Sequence, residues 1–111
     1  MLRLLAAVLL LLAAGAARAD DPARPRIVIS DHRFSPAELH VPANQLIVID
    51  VLNQDPTAEE FESAELGVEK VIAGGRQLPI RIRPLAPGRY KFIGEYHSDT
   101  AFGVIIADGV R

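Results

Sequence analysis

Carboxylates are concentrated in one segment of the chain, and another segment places a histidine between two carboxylates. Five glutamates fall within eleven residues, with no basic residue among them: Glu59, Glu60, Glu62, Glu65 and Glu69. Farther along, Glu95 precedes His97 by two residues and Asp99 follows it by two. Carboxylates with an imidazole suit Fe, Mn, Zn or Cu(II) better than Cu(I). Grouped carboxylates repel one another, which a bound cation would relieve. The same acidic segment could equally dock on a basic partner or form an ordinary solvated face.

The composition limits where these residues can act. The chain contains no cysteine, so packing alone must hold the fold and no thiolate is available for a soft metal. Arg3, the apolar run Leu4–Leu12 and the sequence Ala-Arg-Ala at 17–19 are typical of a secretory signal peptide. We therefore expect cleavage after Ala19, a periplasmic location and one mature domain over residues 20–111. That domain carries 10 basic and 14 acidic residues. Its net charge of −4 argues against nucleic acid as a partner, and charges in every later apolar run argue against membrane insertion after cleavage.

Short apolar runs rich in Ile and Val recur along the chain, separated by Pro, Gly, Asn and Asp. Such residues favour strands, and turn signals every 8 to 12 residues or so are typical of a β-sandwich. The sequence thus predicts an all-β domain of seven to eight strands in two sheets, covering residues 26–30, 39–41, 46–52, 60–63, 68–73, 78–82, 90–93 and 103–107. A helical turn within residues 64–70 is an alternative for that short stretch.

Four segments, in this order, resemble the cupredoxin-like domain family. Phe34–Leu39 and Val41–Asn44 resemble the opening of such domains, with Asn44 where glycine is usual. Val51–Asn53 resembles the strand whose final Asn precedes the first copper-binding His. Leu85–Phe92 resembles the Leu-x-Pro-Gly-x-Tyr-x-Phe entry to the ligand loop. The resemblance covers essentially the whole mature chain and implies a Greek-key β-sandwich.

The resemblance also implies what has happened to the family's copper ligands. In cupredoxins the ligand loop carries a Cys, a His and then a Met. Here Gly94 stands at the Cys position, His97 at the His position, and the Met position falls near Ala101 or Phe102. The first His ligand matches a position near Glu60. Type 1 copper takes two His, one Cys and a weak axial Met, so the resemblance implies a domain without an ordinary blue-copper site.

Within the family, the chain most resembles the cupredoxin-like domains of bacterial periplasmic iron uptake. These are the EfeO-type domain and a small component that accompanies a periplasmic iron-binding protein and an iron permease. The segment that carries this resemblance is Glu59–Ser63, with its Glu-Phe-Glu sequence, followed by Glu69 and Lys70. The resemblance implies a role in iron acquisition, with a copper or iron ion as the cofactor. It also implies that the partners are a periplasmic iron-binding protein or inner-membrane permease components.

Our leading hypothesis is a metal-binding or redox accessory protein in bacterial iron transport. If the ligand loop superposes on that of the family, Glu60 and His97 come together at one end of the sandwich. The candidate metal ligands are carboxylates and one imidazole: Glu60, His97, Glu95, Asp99, Glu62 and Glu69. His32 and His40 are expected to be surface residues.

Three alternatives remain open at this stage. The domain could be an adaptor without a metal that docks through its acidic face on the iron-binding protein or the permease. It could be a copper-dependent ferroxidase, although activity on its own is not the favoured interpretation. It could also be a cupredoxin fold that has lost its site, in which His97 is an ordinary loop residue.

Overall fold

The computed structural model describes residues 21–109, and the regular secondary structure of these residues is almost entirely β-strand. The elements are β1 (Arg26–Ser30), β2 (Arg33–Ser35), β3 (Glu38–Pro42), β4 (Ile47–Asn53), β5 (Glu59–Ser63), β6 (Val68–Ile72), β7 (Gln77–Ile82), β8 (Gly88–Gly94), the 3₁₀ turn η1 (Glu95–His97) and β9 (Phe102–Asp108). The signal peptide predicted for residues 1–19 lies outside the described residues. Within them, no helix has the length and apolar character needed to cross a membrane.

The strands form two sheets that pack against each other. One sheet has the order β2-β1-β4-β7 and the other the order β3-β9-β8-β5-β6. β1 runs parallel to β4 and β3 runs parallel to β9, whereas the other neighbours are antiparallel. The predicted all-β sandwich is confirmed, and its eight predicted strands end within two residues of the observed ones. The described residues contain a ninth strand, β2, whose three residues are too few to show an alternating pattern.

The sheets meet in an apolar core with three phenylalanines at its centre. The rings of Phe61 and Phe92 stack with centroids 4.8 Å apart, and Phe34 meets both rings edge-on. Successive side chains of a strand point to opposite faces, so β5 turns Glu59, Phe61 and Ser63 into the core side. A glutamate is therefore buried in line with the core phenylalanines.

The intervening residues of β5 face outward from the five-stranded sheet. Glu62 lies opposite Glu69 of β6 on one side and opposite Ile93 of β8 on the other. Glu60 lies opposite Val71 of β6. The strand therefore supplies carboxylates to both faces of its sheet, one inside the sandwich and two outside it.

Candidate functional site

The buried carboxylate of Glu59 holds the turn between β8 and β9 against β5. Glu59 is 1% exposed. One of its oxygens contacts Nδ1 of His97 at 2.5 Å. The other accepts hydrogen bonds from the backbone N–H of Tyr96 at 2.9 Å and of Glu60 at 3.1 Å. The side chain contacts a residue 38 positions along the chain and joins a strand to the loop that resembles the ligand loop of the family.

Two small residues close the space around this carboxylate. A Cβ added at Gly94 would lie 2.7 Å from Cδ of Glu59 and 2.6 Å from Cβ of Ala101. The N–H of Gly94 donates to the carbonyl of Ala101 at 2.8 Å. We call Glu59, Gly94, His97 and Ala101 the inner corner. The positions that the resemblance assigns to Cys, His and Met therefore do converge, and the Glu59 carboxylate fills the space between them. Of the two candidates for the Met position, Ala101 is buried in the corner and Phe102 is 57% exposed.

A second histidine covers the inner corner. The rings of His32 and His97 stack with centroids 3.6 Å apart and planes 8° from parallel. The Asp55 carboxylate accepts hydrogen bonds from the backbone N–H of Asp31 at 2.7 Å and of His32 at 2.9 Å. Burial raises the pKa of Asp55, but these amide bonds outweigh burial and lower it. The Thr100 hydroxyl donates to the carbonyl of His32 at 2.7 Å, so the turn that carries His32 is fixed at both ends.

On the opposite face of β5, several carboxylates crowd together, and Lys91 lines the same cavity as Glu62 and Glu69. Oxygens of Glu60, Glu62 and Glu69 lie within 4.8 Å of one another. Hydrogen bonding to the Glu95 carboxyl, burial and hydrogen bonding to Glu69 raise the pKa of Glu62 to about 7. Burial and the charges of Glu69 and Glu95 likewise raise the pKa of Glu60. We call these four residues the outer cluster. Oxygen donors in this number suit hard divalent or trivalent cations.

The structure divides the predicted ligands between two places. The outer cluster contains four of the six. His97 belongs to the inner corner, where the carboxylate that it contacts is that of Glu59 and not of Glu60. Asp99 is exposed and belongs to neither group. Apart from Asp99, the predicted ligands thus lie in two groups, one on each face of β5.

The sequence analysis left Glu59 and Asp55 out of the candidate site and expected His32 on the surface, whereas His32 is half-buried and stacks on His97. The signal for Glu59 was present in the alternation of β5, since a residue two positions before the buried Phe61 must share its face. No comparable signal existed for His32, whose partner lies 65 positions along the chain. Asp55 resembles an ordinary turn residue, and its role depends on amides 23 and 24 residues away.

His40 is exposed, as expected. Its ring nitrogens contact the carboxylates of Asp108 and Glu38 at 3.1 and 3.4 Å. Hydrogen bonding to these two groups raises the pKa of His40. The contact with Asp108 ties β3 to β9 on the outside of the sandwich, whereas Glu38 lies in β3 itself.

The donors of the inner corner differ from those of type 1 copper. That ion takes two imidazoles, a thiolate and a weak thioether. The corner offers one imidazole nitrogen and one carboxylate, and neither Gly94 nor Ala101 carries a donor side chain. The chain has no cysteine, and its one methionine is Met1.

The sandwich and the convergence of these positions are those of a cupredoxin-like protein. The family model described as "Cupredoxin-like domain" matches residues 2–107, and the chain belongs to this family. The chain is 39% identical over 89 residues to an uncharacterized protein of Rickettsia prowazekii (strain Madrid E). That alignment covers 80% of this chain and 71% of the relative.

Solved structures of copper proteins share the fold. Dithionite-reduced auracyanin from Roseiflexus castenholzii matches with a TM-score of 0.62 at 17% identity, over 78% of this chain and 97% of that one. The metal-binding domain of the Cu(I)-exporting P-type ATPase CopA of Streptococcus pneumoniae D39, solved with Cu(I), matches with a TM-score of 0.66 at 20% identity. That match covers 79% of this chain and 85% of the other. The chain is thus related in fold to copper-binding proteins.

Proposed function

We propose that this cupredoxin-like domain is a periplasmic metal-binding accessory protein of bacterial iron transport. In this proposal it has no type 1 blue-copper site, and the outer cluster takes the cation. The observation that carries the proposal is the crowding of Glu60, Glu62 and Glu69 within 4.8 Å. Carboxylates so close together repel one another, which favours a retained proton or a bound cation, and the raised pKa of Glu62, about 7, has this cause together with burial.

The chemistry of the outer cluster selects a class of ion. All of its donors are carboxylate oxygens, which favour iron, manganese and other hard cations. Cu(I) prefers thiolate and thioether ligands, and residues 20–111 contain neither cysteine nor methionine. Among copper ions, Cu(II) is therefore the form that these donors could hold, and by the usual order of divalent affinities it would compete with ferrous iron.

The assignment to iron transport rests on the sequence. The Glu-Phe-Glu segment at 60–62 resembles that of EfeO-type domains in periplasmic iron uptake. The pattern of the first 19 residues supports export, because it resembles a signal peptide. Three of the residues that carry this resemblance, Glu60, Glu62 and Glu69, belong to the outer cluster.

Anaerobic calorimetric titration tests the metal-binding part of the proposal. Fe(II), Mn(II), Zn(II) and Cu(II) are titrated into the wild-type protein and into Glu62→Gln. Asp99→Asn is the matched control, since it removes one exposed carboxylate from outside the cluster. We expect one-to-one binding that weakens about tenfold or more in Glu62→Gln, as is common for altered ligand shells, and that is unchanged in Asp99→Asn. Equal affinity in both variants would refute the outer site. Binding lost only in His97→Ala would move the ion to the inner corner.

A second candidate function is docking on a basic partner, and exposed apolar residues favour it. Val71, 51% exposed, lies opposite Glu60 in the β5–β6 pair. Tyr96, also 51% exposed, follows Glu95 directly. Apolar side chains beside acidic ones suit a partner surface with basic and apolar residues, such as that of a periplasmic iron-binding protein or an iron permease.

Salt dependence tests the docking function. Exposed charges are screened over about 8 Å at physiological ionic strength. Binding to a purified candidate partner should therefore weaken steadily as salt is added, and Val71→Ser should weaken it at every salt concentration. Binding that is indifferent to both changes would remove this candidate.

A further inference from the structure

We infer that the bridge between Glu59 and His97 takes the mechanical place of a metal ion in this cupredoxin-like domain. A metal at this end of a sandwich joins side chains from different strands and fixes the loop between the last two strands. Here the Glu59 carboxylate joins the same elements. It contacts the ring of His97 and the backbone N–H of Tyr96, both in η1, from its position in β5.

The bridge is complete without an ion. Both oxygens of Glu59 are hydrogen-bonded, and the residue is 1% exposed. An ion would have to separate the Glu59 oxygen from Nδ1 of His97. It would gain no third side-chain donor from Gly94 or Ala101, whose Cβ positions leave no room for one. Glu59 therefore occupies the space that a metal ion would need in the inner corner.

The bridge also orients the turn that supplies the outer cluster. Glu95 lies between Gly94, at the floor of the inner corner, and Tyr96, whose N–H is bonded to Glu59. Interaction with the Glu95 carboxyl is the largest cause of the raised pKa of Glu62, on the other face of the sheet. Glu59 is thus a positioning residue for Glu95. This second part of the inference rests on the proposed cation-binding function, and the first part does not.

Amide hydrogen exchange on the full chain tests the bridge directly. After treatment with EDTA, we expect the Tyr96 amide of the wild-type protein to be protected. Added Cu(II) or Zn(II) should not protect it further. In Glu59→Ala its exchange should quicken by about tenfold or more, because the acceptor of its hydrogen bond is gone. Glu60→Gln is the matched control, since it alters the neighbouring carboxylate on the other face and should leave the Tyr96 amide unchanged.

Two results would overturn the inference. One is a Tyr96 amide that exchanges as fast in the EDTA-treated wild type as in Glu59→Ala. The other is a Tyr96 amide that becomes protected only when Cu(II) or Zn(II) is added. If Glu59→Ala does not fold, the wild-type comparison with and without metal still decides between a bridge and a metal.

The positioning role has its own readout. Glu59→Gln keeps an oxygen that accepts from Tyr96 and should bind Fe(II) or Mn(II) at the outer cluster about as the wild type does. Glu59→Ala removes this acceptor and no ligand of the outer cluster, and we expect it to weaken that binding by about tenfold, as changes behind a ligand shell commonly do. Unchanged affinity in Glu59→Ala would refute the positioning of Glu95. Absence of binding by the wild type would refute the proposed function while leaving the exchange result of the bridge intact.

Discussion

Glu59 and Glu60 are neighbours in β5, yet their carboxylates lie in opposite surroundings. The Glu59 carboxylate is buried among three N–H groups, one from an imidazole and two from the backbone. The Glu60 carboxylate lies among other carboxylates. Both residues carry the same functional group, and the two faces of one strand give them different roles.

The comparison shows that the supply of hydrogen-bond donors, more than burial, decides how a carboxylate is accommodated. A buried carboxylate is tolerated when hydrogen bonds replace its water, and the inner corner provides them. The outer cluster is more accessible to water but offers only acceptors, so its groups compete for protons. The carboxylate of the inner corner therefore needs no ion, whereas the carboxylates of the outer cluster would be stabilised by a cation or a basic surface.

The largest expected effect comes from removing the bridge. Glu59→Ala leaves the Tyr96 amide and Nδ1 of His97 without their acceptor in a largely buried place. Since each buried donor left unpaired costs about 1–3 kcal/mol, the free energy of unfolding should fall by at least about 2 kcal/mol. Urea denaturation measures the loss. Glu60→Gln serves as the control and should lower this free energy little, if at all. Equal losses of unfolding free energy in the two variants would show that the two faces of β5 do not differ in this way.

A smaller loss is expected when the inner corner is overfilled. Gly94→Ala puts a methyl group 2.6 Å from Cβ of Ala101 and 2.7 Å from Cδ of Glu59. Inserting a methyl group into a packed interior costs about 1–3 kcal/mol. Gly75→Ala is a useful contrast, because a Cβ there meets no neighbouring atom, although its positive φ adds strain of its own.

A double variant tests whether Ala101 limits the space beside Gly94. Ala101→Gly removes one of the two clashes, so Gly94→Ala should cost less in the Ala101→Gly background than in the wild type. A cost that is the same in both backgrounds would mean that Ala101 does not limit the space in the corner.

The stacking of His32 on His97 should contribute less to the free energy of unfolding than the two features above. His32→Ala removes a ring that stacks on His97 at 3.6 Å. Aromatic pairs contribute about 0.5–1.5 kcal/mol beyond the area they bury, and we expect a loss of that size in thermal or urea unfolding. His32→Phe keeps a flat ring in the same place and should recover most of it. A full loss in His32→Phe would assign the effect to a polar contact of the imidazole instead of the stacking.

The strands and the outward-facing carboxylates could be predicted from the sequence. The sandwich followed from local patterns, as in β7, where Ile80 and Ile82 are buried and Arg81 is exposed, as is Arg83 directly after the strand. The grouping of Glu60 with Glu62 followed from the same rule of alternation. Local periodicity thus predicted the strands and the outward carboxylates, because both depend on neighbours in the chain.

The inner corner depended on a register that the sequence could not supply. The resemblance matched the first metal-ligand position to the neighbourhood of Glu60, and the carboxylate on His97 is one residue earlier, at Glu59. Because side chains alternate, a shift of one residue along a strand moves a side chain to the other face. The partners in this contact are 38 residues apart, and no local pattern encodes which of two adjacent glutamates meets the histidine.

The smallest expected effect concerns pH and the outer cluster. Hydrogen bonding to Glu95, together with burial, raises the pKa of Glu62 from 4.5 to about 7. The unfolded chain releases this proton near its ordinary pKa, so the protonated native cluster contributes stability that is fully present below about pH 4.5 and is lost as pH rises through about 7. Glu62→Gln removes that loss, and its melting temperature should fall less than that of the wild type between pH 5 and pH 8. Asp99→Asn, a control outside the cluster, should follow the wild type. A bound cation would replace the proton, so Mn(II) at pH 8 should raise the melting temperature of the wild type more than that of Glu62→Gln. If Mn(II) stabilises both proteins equally, the cation does not bind at the outer cluster, and the contrast with the self-sufficient inner corner loses its functional meaning.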